Sequence, residues 1–180
     1  LILPLLFFLF TRISPIKHYK AMSKAMLTAF STSSSSATLP VTLSCVQNDV
    51  GVSKSTSSFV LPLGATINMD GTALYECAGV LFIAQVLGID LTIYQQLTVV
   101  LTALLASVGA AGIPSAGLVM IFIVLQSIGL SDHPEVGIIV GTMLAVDRPL
   151  DMLRTTVNVT SDSIGAAIIA KSEGEELYNN

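Results

Sequence analysis

The chain has 180 residues, of which 52% are hydrophobic and 11% charged, and its mean hydropathy is +0.78. Because an ordinary soluble domain has about 25% charged residues, this composition indicates a membrane protein. The formal net charge of -4 comes partly from an acidic tail, so no basic surface for nucleic acid is indicated.

The N-terminal segment predicts a truncated membrane helix followed by a cytoplasmic loop. Residues 1–11 are apolar but lack an initiator Met, a basic leader and a cleavage site, so we expect the end of a transmembrane helix in the C-terminal part of a longer protein. Residues 12–24 contain four basic residues and no acidic residue. Short loops with this bias stay in the cytoplasm.

Residues 25–50 consist of two apolar arms around the serine-rich run Ser31–Ser36. A serine run by itself is equally typical of a flexible linker. Each arm is shorter than the roughly 20 residues that a membrane span needs. Two short arms around a polar tip predict a re-entrant helical hairpin, which we call hairpin 1.

Residues 56–89 predict one transmembrane helix that is broken at Asn68–Thr72 (NMDGT). The total length fits a single span, but Asn, Asp and Gly together favour a break. Unwound backbone at membrane depth is tolerated only where it lines a cavity or is buried in protein. The alternative is a loop between two soluble helices.

Residues 95–131 predict a second re-entrant hairpin, hairpin 2. No residue from Leu91 to Ser131 is charged, and a single helix of that length would be about 60 Å, twice the hydrocarbon thickness. The chain must therefore fold back, and Gly109–Gly117 supplies the turn. The loop charges predict that hairpin 1 enters from the cytoplasm and hairpin 2 from outside.

Residues 136–171 predict a final transmembrane helix with one polar face, followed by an acidic tail at 172–180. The face spans an arc of roughly 100° and carries Asp147, Asp151, Arg154, Thr155, Asn158 and Asp162. Each charge at the bilayer centre costs about 2.5 to 3.5 kcal/mol, so these side chains must line a cavity, pair or hold a ligand. Pro149 is expected to kink this helix, and Arg148 is a candidate partner for Asp147.

The predicted fold class is therefore an all-α membrane protein. It comprises two opposed re-entrant helical hairpins, a broken transmembrane helix and a polar-striped C-terminal transmembrane helix. We expect a multi-pass protein of the cell membrane, inner or plasma, in contact with lipid.

Four motifs occur in order along the chain: SSSSATLP (33–40), PLGATINMDGT (62–72), SVGAAGIPSAG (107–117) and D-x-x-x-D-x-x-R-T-x-x-N-V (147–159). Together they closely resemble the dicarboxylate/amino acid:cation symporters, the glutamate transporter family, over nearly the whole chain. Discontinuous helices and inverted repeats are known features of such transporters.

The resemblance implies a substrate site on the last helix. Arg154 would hold the substrate's side-chain carboxylate through its planar fork, Asp151 would bind the ammonium, and Asn158 with the backbone near Ser35 would receive the main carboxylate. The remaining pocket residues would be Ser34, Thr72, Thr155, Ile113 and Gly117. The plainer alternative is that Asp151 and Arg154 form a structural i,i+3 ion pair.

The resemblance also implies that Na⁺ is the coupling ion, with no organic cofactor. Hard cations take oxygen ligands. One site would use Gly64, Asn68, Asn158 and Asp162; a second would use backbone carbonyls at Thr66, Ser107, Val108 and Ala110; Asn68 and Asp70 would form part of a third. Many relatives carry an Arg at the position of Ser33 or of Met152, and this chain has neither.

The expected function is sodium-coupled symport of aspartate or glutamate by an elevator motion, in a homotrimer formed through N-terminal scaffold helices. Alternatives are a C4-dicarboxylate carrier, a proton-coupled glutamate symporter and, more remotely, an ion-channel subunit. An intramembrane enzyme using Asp147 and Asp151 is disfavoured, because no nucleophile and base are arranged together. His18 and His133 lie in predicted loops and are expected to be solvated.

Overall fold

All regular structure in the part of the chain that the computed structural model describes, residues 2–110 and 115–178, is helical, and no strand occurs there. The helices are α1 (Ile2–Thr11), α2 (Pro15–Ala21), α3 (Ser23–Thr32), α4 (Ser35–Cys45) with a π-helical turn (Val46–Val50), α5 (Lys54–Ile67), α6 (Asp70–Val86), α7 (Ile93–Gly109), α8 (Ala116–Ser127) and α9 (Val136–Ser172). The predicted all-α class is confirmed for these residues.

Two pairs of consecutive helices fold back on themselves, α3 on α4 at hairpin 1 and α7 on α8 at hairpin 2. The tip of hairpin 1 turns at Ser33, whose φ of 51° lies in the left-handed region. Ser34 then caps α4, because its hydroxyl accepts a hydrogen bond from the Ala37 N–H at 3.1 Å. At hairpin 2, α8 begins after Ser115, which also has a left-handed φ of 62°.

The helix between the hairpins is interrupted at Asn68 and Met69, which separate α5 from α6. The first residues of α6 lie against the middle of α9. The Gly71 N–H donates to the Asn158 Oδ1 at 2.7 Å, and a side chain at position 71 would overlap the backbone of Arg154. Only glycine permits this close approach, so the break is fixed beside the polar face of α9.

The long helix α9 organises the fold, since α1, α3, α5 and α6 all pack on it. It runs for 37 residues and continues through Pro149. Its ends contribute to two separate apolar clusters, one with Phe7, Met22, Val46, Leu61 and Val159 and one with Val80, Val99, Ile121, Leu125 and Val140. Within the described ranges, no helix is both long and apolar enough to cross a membrane.

The expectation that His18 is solvated is wrong. The side chain is 1% exposed. Its Nδ1 lies 2.6 Å from the hydroxyl of Tyr178 and its Nε2 lies 2.9 Å from the hydroxyl of Ser163. Burial lowers the pKa of His18 to about 4, so the ring is neutral at pH 7. The sequence carries no signal for this contact, because the partners are 160 and 145 residues away.

Candidate functional site

A buried charged cluster lies near the middle of α9. The Arg154 Nε donates to the Asp151 Oδ1 at 2.8 Å, and the Arg154 Nη1 donates to the Asp147 Oδ1 at 3.3 Å. All three residues are at most 5% exposed. The guanidinium carbon also lies 4.3 Å from the ring centroid of Tyr75, on α6. The guanidinium is therefore held on one side by carboxylates and on one face by an aromatic ring.

Arg148 is not the partner of Asp147, contrary to the possibility that the sequence left open. Arg148 is exposed, whereas Asp147 Oδ1 accepts from both Arg154 and the Tyr75 hydroxyl, the latter at 3.1 Å. Because α9 continues through Pro149, Asp147 stays on the face that carries Arg154. Asp147 therefore belongs to the polar face of α9, as the helical period predicts.

Both hairpin tips, the helix break and α9 enclose a cavity of about 10 Å³ beside Arg154, roughly the space of one water molecule. Its lining residues are Ser33, Ser35, Met69, Thr72, Ala110, Ala116, Gly117, Asp151, Arg154, Thr155 and Asn158. Most of the predicted substrate residues therefore meet at one place. Ser34 lies next to the cavity as the cap of α4. Ile113 lies outside the described residues.

Two charged side chains at this cluster have polar atoms without a hydrogen-bond partner among the described residues: Arg154 at Nη2 and Asp147 at Oδ2. Such an unpaired buried atom costs about 1 to 3 kcal/mol, and more when charged. The Ser33 hydroxyl, at the cavity wall, is also buried and has no hydrogen-bond partner in the described part of the chain. A bound anion accepting from Nη2 would relieve the largest of these costs, so the arrangement suits a ligand that carries a carboxylate.

Glu76 is a functional candidate that sequence reasoning missed. Its side chain on α6 is 0% exposed, and neither carboxylate oxygen has a hydrogen-bond partner among the described residues. The available signal was the position of the residue, the single charge in the apolar run from Ala73 to Ile89. A lone ionisable residue in an apolar helix is by itself a reason to suspect function.

Three of the four residues predicted for the first sodium site, Gly64, Asn68 and Asp162, lie close together. The Asn68 Nδ2 donates to the Asp162 Oδ1 and to the Ser161 hydroxyl, both at 2.8 Å. Gly64 lies so close to Asp162 that a side chain there would overlap the carboxylate. Gly64, Asn68 and Asp162 also line one cavity of about 360 Å³ together with Asp70, which was predicted to belong to a third site.

The residues of the predicted second sodium site lie at two helix ends. Thr66 is near the end of α5, and its hydroxyl donates to the Leu63 carbonyl at 2.8 Å. Ser107 and Val108 are near the end of α7, and Ala110 follows it at the wall of the small cavity. α5 contacts α7. Across the described ranges, no group of three or more His, Cys, Asp or Glu side chains is placed to hold a metal ion.

Gly117 allows α8 to approach the guanidinium. A Cβ at this position would lie 2.9 Å from the Thr72 Cγ2 and 3.3 Å from both the Arg154 Cζ and Nη1. We expect Gly117→Ala in the full-length protein to raise the KM for a carboxylate ligand of this cavity about tenfold or more, because overpacking costs about 1 to 3 kcal/mol. Activity measured against ligand concentration checks this.

The matched control for that substitution is Gly141→Ala on α9, where an added Cβ meets no atom within 4 Å. Alanine should there leave the KM unchanged and favour the helix slightly. An unchanged KM in Gly117→Ala would contradict the contact that the structure places between position 117 and Arg154.

Two helical hairpins around a buried arginine and two carboxylates have the chemistry suited to holding a small charged ligand. The sequence profile of the sodium:dicarboxylate symporter family matches residues 1–172. The chain belongs to this family of membrane transporters, which confirms the resemblance seen in its motifs. Because the family is one of transporters, the alternative of an intramembrane enzyme is wrong.

Three relatives illustrate the similarity. The chain is 51% identical to excitatory amino acid transporter 1 of Rattus norvegicus over 99% of its length, and 49% identical to excitatory amino acid transporter 3 of Mus musculus over 98%. It is 50% identical to an excitatory amino acid transporter of Caenorhabditis elegans over 93%. These alignments cover 32%, 33% and 32% of the respective relatives. The chain thus spans about a third of the length of the curated relatives it matches.

Proposed function

We propose that the protein containing this chain couples the inward movement of Na⁺ to the uptake of an acidic amino acid, aspartate or glutamate. The observation that carries the proposal is the buried Arg154, whose Nη2 has no partner among the described residues and which lines the cavity between the hairpin tips. A permanently charged planar fork in a buried site suits a carboxylate. The relatives named excitatory amino acid transporters support the same substrate class.

Substrate binding in this proposal requires hairpin 2 to move. A cavity of about 10 Å³ cannot hold an amino acid, and the Ser115 N–H at the hairpin 2 tip donates to the Asp151 Oδ2 at 2.8 Å. The substrate ammonium would replace this N–H as the partner of Asp151. Hairpin 2 would then close over the bound substrate.

The charge balance favours an amino acid over a dicarboxylate. The cluster holds two carboxylates, Asp147 and Asp151, against one guanidinium. Aspartate and glutamate carry two carboxylates and one ammonium, and that ammonium would pair with Asp151. A C4-dicarboxylate carries two carboxylates and no ammonium, so it would bring no positive charge to face Asp151. The alternative is a C4-dicarboxylate carrier. In that case Asp151 would keep its hydrogen bonds from Arg154 and Ser115 while the substrate is bound.

For the coupling ion, we propose the oxygens around Asn68 and Asp162 as one Na⁺ site and the α5 and α7 ends as a second. The contacts between Gly64, Asn68 and Asp162 support the first. We further propose that the hairpins are re-entrant from opposite sides of the cell membrane. The core would then move as an elevator against scaffold segments of a homotrimer.

Uptake of labelled aspartate by the full-length protein in proteoliposomes tests this function. We expect saturable uptake that depends on an inward Na⁺ gradient and is inhibited by glutamate but not by succinate. Equal inhibition by succinate would favour the dicarboxylate carrier. Uptake driven by a proton gradient without Na⁺ would favour the proton-coupled symporter, and current without saturable uptake would favour a channel.

A further inference from the structure

The residues after α9 lie across the base of hairpin 1. We call residues 173–178 the C-terminal strap. Leu177 and Tyr178 are each 7% exposed and belong to the same apolar cluster as Val46 and Val50. The Tyr178 N–H also donates to the Val50 carbonyl at 2.8 Å. The strap is therefore packed into the molecule through both side chains and backbone.

The strap binds the chain that leaves hairpin 1. The Glu175 carboxylate accepts from the Ser53 N–H at 2.7 Å, from the Ser53 hydroxyl at 2.8 Å and from the Thr56 hydroxyl at 2.8 Å. Although burial opposes it, this set of hydrogen bonds lowers the pKa of Glu175 below its ordinary value. An ionised carboxylate thus sits at the first turn of α5, where the helix dipole favours it.

The strap also binds the chain that enters hairpin 1. The Lys17 Nζ donates to the Tyr178 carbonyl at 3.2 Å and lies 5.1 Å from the centroid of the Tyr178 ring. The Tyr178 hydroxyl lies 2.6 Å from the His18 Nδ1. His18 precedes α3 and Val50 ends the π-helical turn after α4. Tyr178 therefore contacts the chain on both sides of hairpin 1, before its first arm and after its second.

The donors and acceptors in the hydrogen bonds that join Tyr178, His18 and Ser163 can be assigned from Ser163. The Ser163 hydroxyl donates to the Thr160 carbonyl at 2.8 Å, so its oxygen accepts from the His18 Nε2–H. The His18 Nδ1 is then an acceptor for the Tyr178 hydroxyl. Tyr178, His18 and Ser163 form one directed chain that ends on α9, and each donor in it is satisfied.

We propose that the strap locks the base of hairpin 1 to α9. While the chain of Tyr178, His18 and Ser163 is intact, both legs of hairpin 1 move as one body with α9, and opening of the site falls to hairpin 2. Release of the strap frees hairpin 1, whose tip carries Ser33 and Ser35 at the cavity. The strap therefore controls access from the side of hairpin 1. That hairpin 1 borders the substrate site rests on the proposed function.

Hydrogen exchange of the full-length protein in lipid nanodiscs tests the lock, measured without substrate or Na⁺. Tyr178→Phe removes one hydroxyl, and His18→Phe removes its acceptor. We expect each single substitution to speed amide exchange about tenfold in residues 46–56, because the loss of a buried hydrogen-bond partner destabilises the lock by about that factor. Exchange in residues 23–45 should also become faster. The double variant should exchange no faster than His18→Phe, because both changes break the same bond.

Tyr94→Phe is the matched control, because the Tyr94 side chain is 80% exposed. Exchange in residues 46–56 equal to that of this control would overturn the proposal. Faster exchange confined to residues 173–178, or additive effects in the double variant, would overturn it as well. If the double variant does not fold, Tyr178→Phe alone decides. If the wild-type protein fails to transport acidic amino acids, the proposed function is wrong. The test of the lock is unaffected, because hydrogen exchange is measured without substrate or Na⁺.

Discussion

Replacing Arg154 by cysteine should abolish uptake of aspartate and glutamate while uptake of a small neutral amino acid persists. The guanidinium is buried and paired with Asp147 and Asp151, and its Nη2 has no hydrogen-bond partner among the described residues. Truncating one partner of a buried charge pair costs about 2 to 5 kcal/mol or more, a factor of about 30 to several thousand in affinity. Uptake of labelled aspartate and of labelled serine by the same variant separates charge recognition from general loss of function.

Arg148→Cys is the matched control on the same helix, because Arg148 is exposed and forms no part of the charged cluster. It should transport aspartate with an unchanged KM. Undiminished aspartate transport by Arg154→Cys would contradict a role of Arg154 in substrate binding. Asp151 and Arg154 would then form only a structural ion pair. Persisting serine uptake would show that the variant is folded, although Asp147 and Asp151 have lost their partner. Loss of aspartate uptake would then report on substrate recognition.

Local chemistry and periodicity predict much of the candidate site. The 3.6-residue period alone places Asp151, Arg154 and Asn158 on one face of a helix, and all three line the cavity. The break at Asn68 follows from residues that favour interruption of a helix, and the structure interrupts the helix there. In both cases the decisive information lies within a few residues along the chain.

The contacts that sequence reasoning missed join residues far apart. Tyr75 donates to Asp147, which is 72 residues away, and His18 contacts Tyr178 across 160 residues. Neither pair has a periodic or compositional signal, because an aromatic residue in an apolar helix and a histidine in a basic loop are ordinary. Only the tertiary contacts of α2, α6 and the strap give these side chains their roles.

Asp162→Asn should raise the Na⁺ concentration for half-maximal uptake at least tenfold with little change in maximal rate. The substitution keeps the shape of the side chain, and its amide oxygen can still accept from Asn68, so the contact at 2.8 Å survives. What is lost is the negative charge. Two unit charges 4 Å apart interact by about 4 kcal/mol at an effective dielectric constant of 20, and the easier desolvation of a neutral amide offsets part of that loss.

Gly64→Ala probes the same site without removing charge, because the added Cβ would overlap the Asp162 carboxylate and displace it. It should raise the half-maximal Na⁺ concentration too, while Asp132→Asn, at an exposed carboxylate on a loop, should not. Unchanged Na⁺ dependence in both Asp162→Asn and Gly64→Ala would remove Asp162 from the coupling site. A change in Gly64→Ala alone would mean that backbone geometry at the end of α5, rather than the carboxylate charge, determines Na⁺ binding.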